Sequence, residues 1–302
     1  MQLTAKRLPK LLWAQIHTRN TIAHRIIARF PAVVLDRPIF ILGLPRSGTS
    51  IFCTLMGSNP NLAHWSEAPV VWDPKWRAYE NEHRWTAQEC TPQALRRINN
   101  NFGYYTRWKG CDRFINKHPR NALRVPFLTA GWPEARLIHI RRDPRAVANS
   151  LYSITKRERQ RHRFPLGGFA RPPGWREIDA IKDPMERFCR MTVAIHQVLK
   201  QDLQEAVKPE NLFAVSYEDF GQDCHGTLRQ AYDFADVTVN EQALAKVPET
   251  LENRNYKWAA TRSVDEIKTM HRILGPIVLD EGYETDDAWL DRVLKERKDN
   301  TA

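Results

Sequence analysis

Four short segments with the pattern of strands are spaced along the chain, and segments with a helical period separate them. The run IFILGL at 39–44 is continuous, rich in β-branched residues and bounded by Pro and Gly, which is typical of a strand buried on both faces. Residues 113–119, 137–140 and 211–220 give further strand candidates. Since strands alternate with helices, we predict an α/β fold with a mostly parallel central sheet flanked by helices.

An amphipathic pattern precedes the first run. Leucine and isoleucine recur at roughly helical spacing between residues 8 and 27, among basic side chains. We predict that residues 1–35 form an N-terminal amphipathic helical segment packed on a single domain of residues 36–302. Contact of this segment with a second subunit, as in a homo-oligomer, or with a membrane surface is the alternative.

The sequence offers no clear route into or across a membrane. No stretch reaches the roughly 18 to 20 apolar residues of a membrane span, because Asp36 and Arg37 interrupt the longest candidate. The basic N-terminus lacks the pattern of a signal peptide. None of the five cysteines stands in C-x-x-C spacing, so a metal cage or disulfide framework is disfavoured. We therefore expect a cytoplasmic protein, with peripheral membrane contact left open.

The net charge of the chain limits the classes of partner that we expect. The formal net charge is +11 over 302 residues, which favours nucleic acid, acidic membrane or a small ligand with several phosphates. No nucleic-acid recognition motif accompanies this charge, so we predict no nucleic-acid partner.

A glycine loop follows the first predicted strand. Gly43 and Gly48 have the G-x-x-x-x-G spacing of a phosphate-binding loop, and a helix is predicted directly after it. Thr49 stands where a nucleoside triphosphatase needs Lys, and a basic residue, Arg46, lies inside the loop instead. The loop suits one terminal phosphate, or a phosphate bearing another anionic group, without an obligatory metal. Backbone N–H groups and hydroxyls of four residues would bind this phosphate: Ser47, Gly48, Thr49 and Ser50.

A second element supplies another anion site. Arg142 ends the strand at 137–140, and Ser150 lies on the following helix, whose start is marked by Asp143 and Pro144. Loops that follow neighbouring parallel strands meet at one edge of the sheet. One phosphate site in each loop predicts a nucleotide phosphorylated at two separate positions.

Together, GLPRSGTS and IHIRRDPRAVANS resemble the sulfotransferases that use 3′-phosphoadenosine 5′-phosphosulfate (PAPS), in their bacterial and Golgi-type branches. FINKHPRNALRV, VSYEDF and ENRNYKW extend the resemblance, in the family's order, over residues 38–258. It implies a P-loop-like, three-layer fold and transfer of a sulfuryl group to a hydroxyl or amine. Adenosine 3′,5′-bisphosphate (PAP) would be the product, and no metal would be required.

The resemblance also implies residue roles. The first loop with Arg46 would hold the 5′-phosphosulfate, and Arg142 and Ser150 would hold the 3′-phosphate. Tyr217 would lie near the adenine. Arg254 and Lys257 would close over the nucleotide.

Sulfuryl transfer needs a base for the acceptor proton and cations for the charge on the leaving phosphate. Lys117 resembles the family's motif lysine. Glu67 matches the placement of the catalytic glutamate in the Golgi-type branch, and His118 approximates the histidine of the cytosolic branch with a one-residue departure. We favour Glu67 over His118 as the base, with His64 as a third candidate.

The acceptor stays open. A small molecule, glycan, lipid or peptide would fit the chemistry, and the segments 72–85 and 164–175 are predicted to form its cleft. The basic run at 156–163 is either a solvated helix end or part of that cleft. Two other functions remain: a P-loop kinase of small molecules using ATP and Mg²⁺, and a non-catalytic binder of nucleotides or other polyanions.

Overall fold

The computed structural model describes residues 21–73, 82–158 and 170–299. Five strands are found there: β1 (Ile39–Leu42), β2 (Leu62–His64), β3 (Arg113–Lys117), β4 (Arg136–Arg141) and β5 (Leu212–Ser216). The α-helices before β4 are α1 (Thr21–Ile27), α2 (Thr49–Met56), α3 (Pro69–Trp72), α4 (Pro92–Lys109) and α5 (Val125–Gly131). Those after it are α6 (Pro144–Glu158), α7 (Trp175–Ala180), α8 (Pro184–Ala206), α9 (Tyr217–Gln222), α10 (Cys224–Phe234), α11 (Glu241–Leu244), α12 (Lys257–Thr261), α13 (Val264–Asp280) and α14 (Trp289–Asp299). Short 3₁₀ turns occur at Ala87–Glu89, Pro119–Leu123 and Pro209–Asn211.

The strands form one parallel sheet in the order β2-β3-β1-β4-β5. The predicted α/β class and the four predicted strands are confirmed. The pattern missed β2, a three-residue edge strand that pairs with β3 between Leu62 and Arg113. Three residues are too few to show a period, and their pairing depends on a partner some 50 residues away.

Alternate side chains of the central strand pack on opposite faces of the sheet. Phe40 and Leu42 belong to the core under α4, α5 and α8, whereas Ile39 and Ile41 belong to the core under α2 and α10. All four are buried to 1% exposure or less. Both faces of β1 are therefore covered, which accounts for its uninterrupted apolar sequence.

The N-terminal helix α1 packs on α4. His24 Nδ1 lies 2.7 Å from Asn101 Oδ1, and Asn100 Nδ2 donates to the carbonyl of Phe30 at 3.0 Å. Residues 1–20 of the predicted amphipathic segment lie outside the described part of the chain. Within that part, none of the helices is both long and apolar enough to cross a membrane.

The strand order brings three loops together. Because β1 lies between β3 and β4, the loops after these three strands leave the same edge of the sheet side by side. Arg46 and Arg142 lie in two of these loops, and Lys117 ends β3 just before the third, although the three residues are far apart in sequence.

Candidate functional site

A cleft of about 700 Å³ opens at this edge of the sheet. Its walls come from the glycine loop, the end of β3, the N-terminal half of α6 and the segment around α12. Most of the residues predicted for the site line it: Arg46, Gly48, Thr49, Ser50, Glu67, Lys117, Arg142, Ser150, Tyr217, Arg254 and Lys257. The cleft thus gathers side chains from both predicted anion sites.

The glycine loop closes tightly against β4 and α9. Gly48 precedes α2 with φ 95°, and a Cβ there would lie 2.3 Å from Cδ2 of Tyr217. The first-turn N–H groups of α2 have no partners within the helix and face an approaching anion with the positive end of the helix dipole. Ser47 departs from the prediction, because its N–H donates to the carbonyl of Leu44 at 3.0 Å and its side chain is buried.

We expect Gly48→Ala to lower the free energy of unfolding by about 2–4 kcal/mol, from the positive φ and the contact with the Tyr217 ring. Gly110→Ala is the matched control, since Gly110 has φ 68° and nothing lies within 4 Å of a Cβ there. Urea unfolding of both variants measures the difference. Equal losses of unfolding free energy in the two variants would show that the contact with Tyr217 contributes nothing.

Hydrogen bonds connect the two predicted anion sites. Arg46 Nε donates to Ser150 Oγ at 3.2 Å, and an Arg142 N–H donates to the carbonyl of Arg46 at 2.9 Å. Arg46 itself has φ 77°, which turns its side chain across the loop toward α6. The first loop and the N-terminal half of α6 are therefore directly connected.

Arg142 is held in a fixed place. Its guanidinium carbon lies 4.4 Å from the centre of the Tyr217 ring, and its Nε donates to Asn255 Oδ1 at 3.0 Å. Asn255 Nδ2 in turn donates to Glu218. Burial lowers the pKa of Arg142, which remains a cation at neutral pH. Sequence reasoning missed Asn255, although it lies inside the ENRNYKW segment.

Other lining residues were also missed. Asn149 is 8% exposed, and its buried Oδ1 has no hydrogen-bond partner. Arg262 NH2 donates to Ser153 Oγ at 3.4 Å, and both side chains line the cleft beside Asn149. The period of α6 places Asn149 and Ser153 on the face of Ser150, so a helical projection would have suggested them.

The predicted closing cations lie at the rim of the cleft. Arg254 is 58% exposed and pairs with Glu252, with its Nε 2.8 Å from Oε2. Lys257 begins α12 and is half-buried. Solvent screening makes an exposed pair such as Arg254–Glu252 weak, so Arg254 can exchange that partner for a ligand.

Glu67 and Lys117 form a pair that also lines the cleft. Lys117 Nζ donates to Glu67 Oε1 at 2.8 Å, and the Glu67 N–H donates to the Lys117 carbonyl at 2.7 Å. The lysine side chain is 7% exposed and the glutamate 51%. Glu67 has φ 61°, a conformation that L residues adopt at a cost. The lysine is thus fixed, and one of the two carboxylate oxygens of Glu67 accepts its hydrogen bond.

His118 points away from the cleft. It is 6% exposed, and its Nδ1 accepts a hydrogen bond from the Arg120 N–H at 3.1 Å. Burial and the nearby Arg124, Arg120 and Lys117 keep the pKa of His118 well below 6.5. The third candidate base, His64, ends β2 against Gly57 and does not line the cleft either.

The described lining residues are strongly cationic, and Glu67 is the one acid among them. The described lining residues therefore offer a divalent metal ion one carboxylate and no second one. His196, Asp280 and Glu281 form a separate group elsewhere, where Lys200 pairs with Asp280 and His196 with Glu281.

The predicted acceptor segments are described only in part, since 74–81 and 159–169 fall outside the described residues, as does most of the basic run at 156–163. Trp72 is fully buried and donates through Nε1 to Asn116 Oδ1 at 3.1 Å, so it belongs to the core and not to a cleft. Trp175 is half-buried, with the guanidinium carbon of Arg171 4.7 Å from the centre of its ring.

Comparison with known proteins adds a family. A family model described as "Sulfotransferase family" matches residues 38–241. A putative protein-tyrosine sulfotransferase from Caenorhabditis briggsae is 22% identical over 214 residues, covering 69% of each chain. A sulfotransferase structure from Alicyclobacillus acidocaldarius superposes with TM-score 0.51 at 17% identity, covering 81% of this chain and 94% of that one. A mouse sulfotransferase complexed with PAP gives TM-score 0.39 at 16% identity, covering 84% and 73%.

Proposed function

This chain belongs to the sulfotransferase family, and from that premise we propose that its cleft binds PAPS and presents it to a hydroxyl or amine acceptor. The protein is a sulfotransferase enzyme. Bound PAPS supplies the sulfuryl group, and PAP is the product. The observation that carries the proposal is the union of two anion sites in one cleft, with Arg46 linked to both Ser150 and Arg142.

The cleft fits a nucleotide with phosphates at both ends of its ribose. Because Gly48 has no Cβ, the Tyr217 ring packs directly on the loop backbone, beside Arg46 and the start of α2, where the 5′ anionic group would bind. Arg142 and Ser150 offer a fork and a hydroxyl to the 3′-phosphate. The Tyr217 ring lies between the two, against both Gly48 and Arg142, where it supports a base.

Glu67 is the proposed general base. It lies in the cleft, and Lys117 holds one of its oxygens while the other is left to accept the proton of the acceptor hydroxyl or amine. Lys117 is the last residue of β3, and the contact with Glu67 holds its ammonium group in place. It neutralises charge on the transferring group and on the leaving phosphate. No metal is needed for this division of roles.

His118 is poorly suited to the same task. With Nδ1 accepting from a backbone N–H, the neutral ring carries its proton on Nε2, so no lone pair is left for a substrate proton. Its burial supports the same conclusion. We therefore assign His118 to the support of the loop that carries Lys117.

Ligand preference tests the proposed function directly. PAP is expected to raise the melting temperature more than ATP with Mg²⁺ or a DNA oligomer does, because the cleft offers two separate phosphate sites and one acid. The measurement is a thermal shift at matched ligand concentration and ionic strength. Equal or greater stabilisation by ATP with Mg²⁺ would support the kinase alternative and overturn the proposal.

The domain bounds, the location and the acceptor classes of the enzyme are proposed from the sequence. We propose one catalytic domain over residues 36–302 in a cytoplasmic protein, with acceptors among small molecules, glycans, lipids or peptides. Residues 1–35 contain no Asp or Glu, and the described part of this segment exposes Ile22 (66%) and Ile26 (52%) beside Arg25 and Arg29. An apolar face with interleaved arginines suits an anionic membrane surface better than a second basic subunit.

Vesicle binding tests this surface. The protein is expected to sediment with phosphatidylcholine vesicles that contain phosphatidylglycerol, and much less with phosphatidylcholine alone. Ile26→Ser should weaken sedimentation, whereas Val264→Ser, at an exposed apolar residue elsewhere, should not. Absence of binding would contradict the membrane proposal, and a dimer in light scattering that Ile26→Ser dissociates would instead indicate an interface between copies.

A further inference from the structure

A chain of hydrogen bonds leads from Glu218 to the guanidinium of Arg142. The carboxylate of Glu218, at the start of α9, accepts three hydrogen bonds. Oε1 accepts from the side-chain amide of Asn255 and from the Asp143 N–H at 3.2 Å, and Oε2 accepts from the Tyr283 hydroxyl at 3.3 Å. Glu218 is not among the described residues that line the nucleotide cleft, so it can act on a ligand only through its neighbours.

The two neighbours of the Asn255 amide fix its orientation. A carboxylate can only accept hydrogen bonds, and a guanidinium can only donate them. The Nδ2 group therefore faces Glu218, and Oδ1 accepts from Arg142 Nε at 3.0 Å. The position of the Glu218 carboxylate thus determines, through this amide, the position of the Arg142 guanidinium.

These contacts leave one end of Arg142 for a ligand. Nε donates to Asn255, and NH1 donates to the Arg46 carbonyl at 2.9 Å. The Tyr217 ring, 4.4 Å from the guanidinium carbon, covers one face of the group. NH2 has no partner among the described residues, and Arg142 lines the cleft. The plane of the guanidinium is therefore fixed, and NH2 remains for a phosphate oxygen.

The other two donors hold the Glu218 carboxylate in place. Burial and the nearby Glu218 raise the pKa of Tyr283, so the hydroxyl keeps its proton at neutral pH and can donate it. The Asp143 N–H belongs to the residue directly after Arg142. The backbone next to Arg142 and the amide that contacts its side chain are therefore bound to the same carboxylate oxygen.

Asn255 reaches this position because its segment is attached to α9. The Leu251 N–H donates to the carbonyl of Gly221, near the end of α9, at 2.8 Å, and the Asn255 side chain contacts Glu218 at the start of the same helix. The segment is thus held at both ends of α9, which keeps the amide between Glu218 and Arg142.

We propose that Glu218 is a positioning residue for recognition of the 3′-phosphate: through Asn255 it orients Arg142 so that NH2 meets the phosphate. The inference rests on the proposed function and adds a residue that determines its specificity. Charge alone predicts the opposite effect, because a carboxylate near a phosphate site repels the ligand and its removal should tighten binding. Loss of the Glu218 carboxylate is instead expected to weaken the binding of PAP, although the site becomes more positive.

Calorimetric affinities for PAP and adenosine 5′-phosphate, compared at equal folded fraction, test this role. Glu218→Ala should raise the Kd of PAP roughly 5- to 30-fold and that of adenosine 5′-phosphate by no more than about twofold. Glu218→Gln should recover most of the lost affinity, because its Oε1 can accept the same two hydrogen bonds and its amide can donate to the Tyr283 hydroxyl. Asp219→Ala removes an equal charge at an exposed residue of the same turn and should not weaken PAP binding.

Asn255→Ala is a second variant in case Glu218→Ala does not fold, and it should show the same selective loss. In the double variant the loss should be no larger than in either single variant, because both act through one amide. Binding of PAP by either single variant that is as tight as in the wild type, or additive losses in the double variant, would overturn the proposal. If Arg142→Met kept the wild-type preference for PAP over adenosine 5′-phosphate, the proposed 3′-phosphate site itself would fail, so the two failures are distinguishable.

Discussion

Turnover by Glu67→Gln is expected to fall about 100- to 10,000-fold, the usual contribution of a positioned base. The amide keeps the size of the side chain and can still accept from Lys117 Nζ, 2.8 Å from Oε1 in the wild type. It cannot take the proton of the acceptor. PAP should bind at least as tightly as to the wild type, because Lys117 is then no longer neutralised by the carboxylate. Initial rates with labelled PAPS and calorimetric binding of PAP measure the two effects separately.

Two variants control this result. Glu134→Gln makes the same chemical change at an exposed residue paired with Lys208 and should leave turnover unchanged. His118→Asn, compared at equal folded fraction, should retain turnover within a few-fold. A loss in His118→Asn as large as that in Glu67→Gln would move the base to the histidine and contradict the assignment.

Arg142→Met should weaken PAP binding by about 2–4 kcal/mol, or roughly 30- to 1,000-fold in Kd, through loss of charge-assisted hydrogen bonds to the 3′-phosphate. Adenosine 5′-phosphate, which lacks that phosphate, should lose much less affinity. The comparison of the two nucleotides on wild type and variant therefore isolates the phosphate contact from any disturbance of the glycine loop, whose Arg46 carbonyl Arg142 also supports.

The neighbouring arginine is the control. Arg141 is 42% exposed, pairs with Glu281 at 3.7 Å and lies outside the lining of the nucleotide cleft. Arg141→Met should leave the affinity for PAP within about twofold, as surface changes usually do. Arg142→Lys, which keeps the charge and loses the fork, should fall between the wild type and Arg142→Met. Equal losses of PAP and adenosine 5′-phosphate in Arg142→Met would show that Arg142 does not contact the 3′-phosphate.

Local patterns predicted most of the sheet. The run at β1 is apolar throughout and the centre of β4 is mostly apolar, because both faces of these strands are covered, and such runs can be recognised from sequence alone. The start of α6 was equally predictable from Asp143 and Pro144. In the structure the Arg145 N–H donates to Asp143 Oδ1 at 2.8 Å, as expected of a capping residue. By contrast, β2 became a strand only through pairing with β3, and its sequence has no signal of its own.

The candidate site likewise contains elements that local sequence predicts and residues that it does not. The glycine loop and the Arg142–Ser150 element were predictable because each is a continuous motif whose spacing expresses its geometry. Asn255 contacts Arg142 and Arg262 lines the cleft, both from a segment more than 100 residues after Arg142, and no local spacing relates them to it.

The sequence by itself determined the α/β class and predicted the glycine loop with its displaced arginine and the Arg142–Ser150 element, since each depends on contacts within a few residues or on a local period. The tertiary structure decided which candidates share one cleft. Strand order placed β1 between β3 and β4 and so joined Arg46, Lys117 and Arg142 at one edge. Packing turned His118 inward and left Glu67 beside Lys117, because the direction of a side chain after a strand depends on the neighbours that bury it.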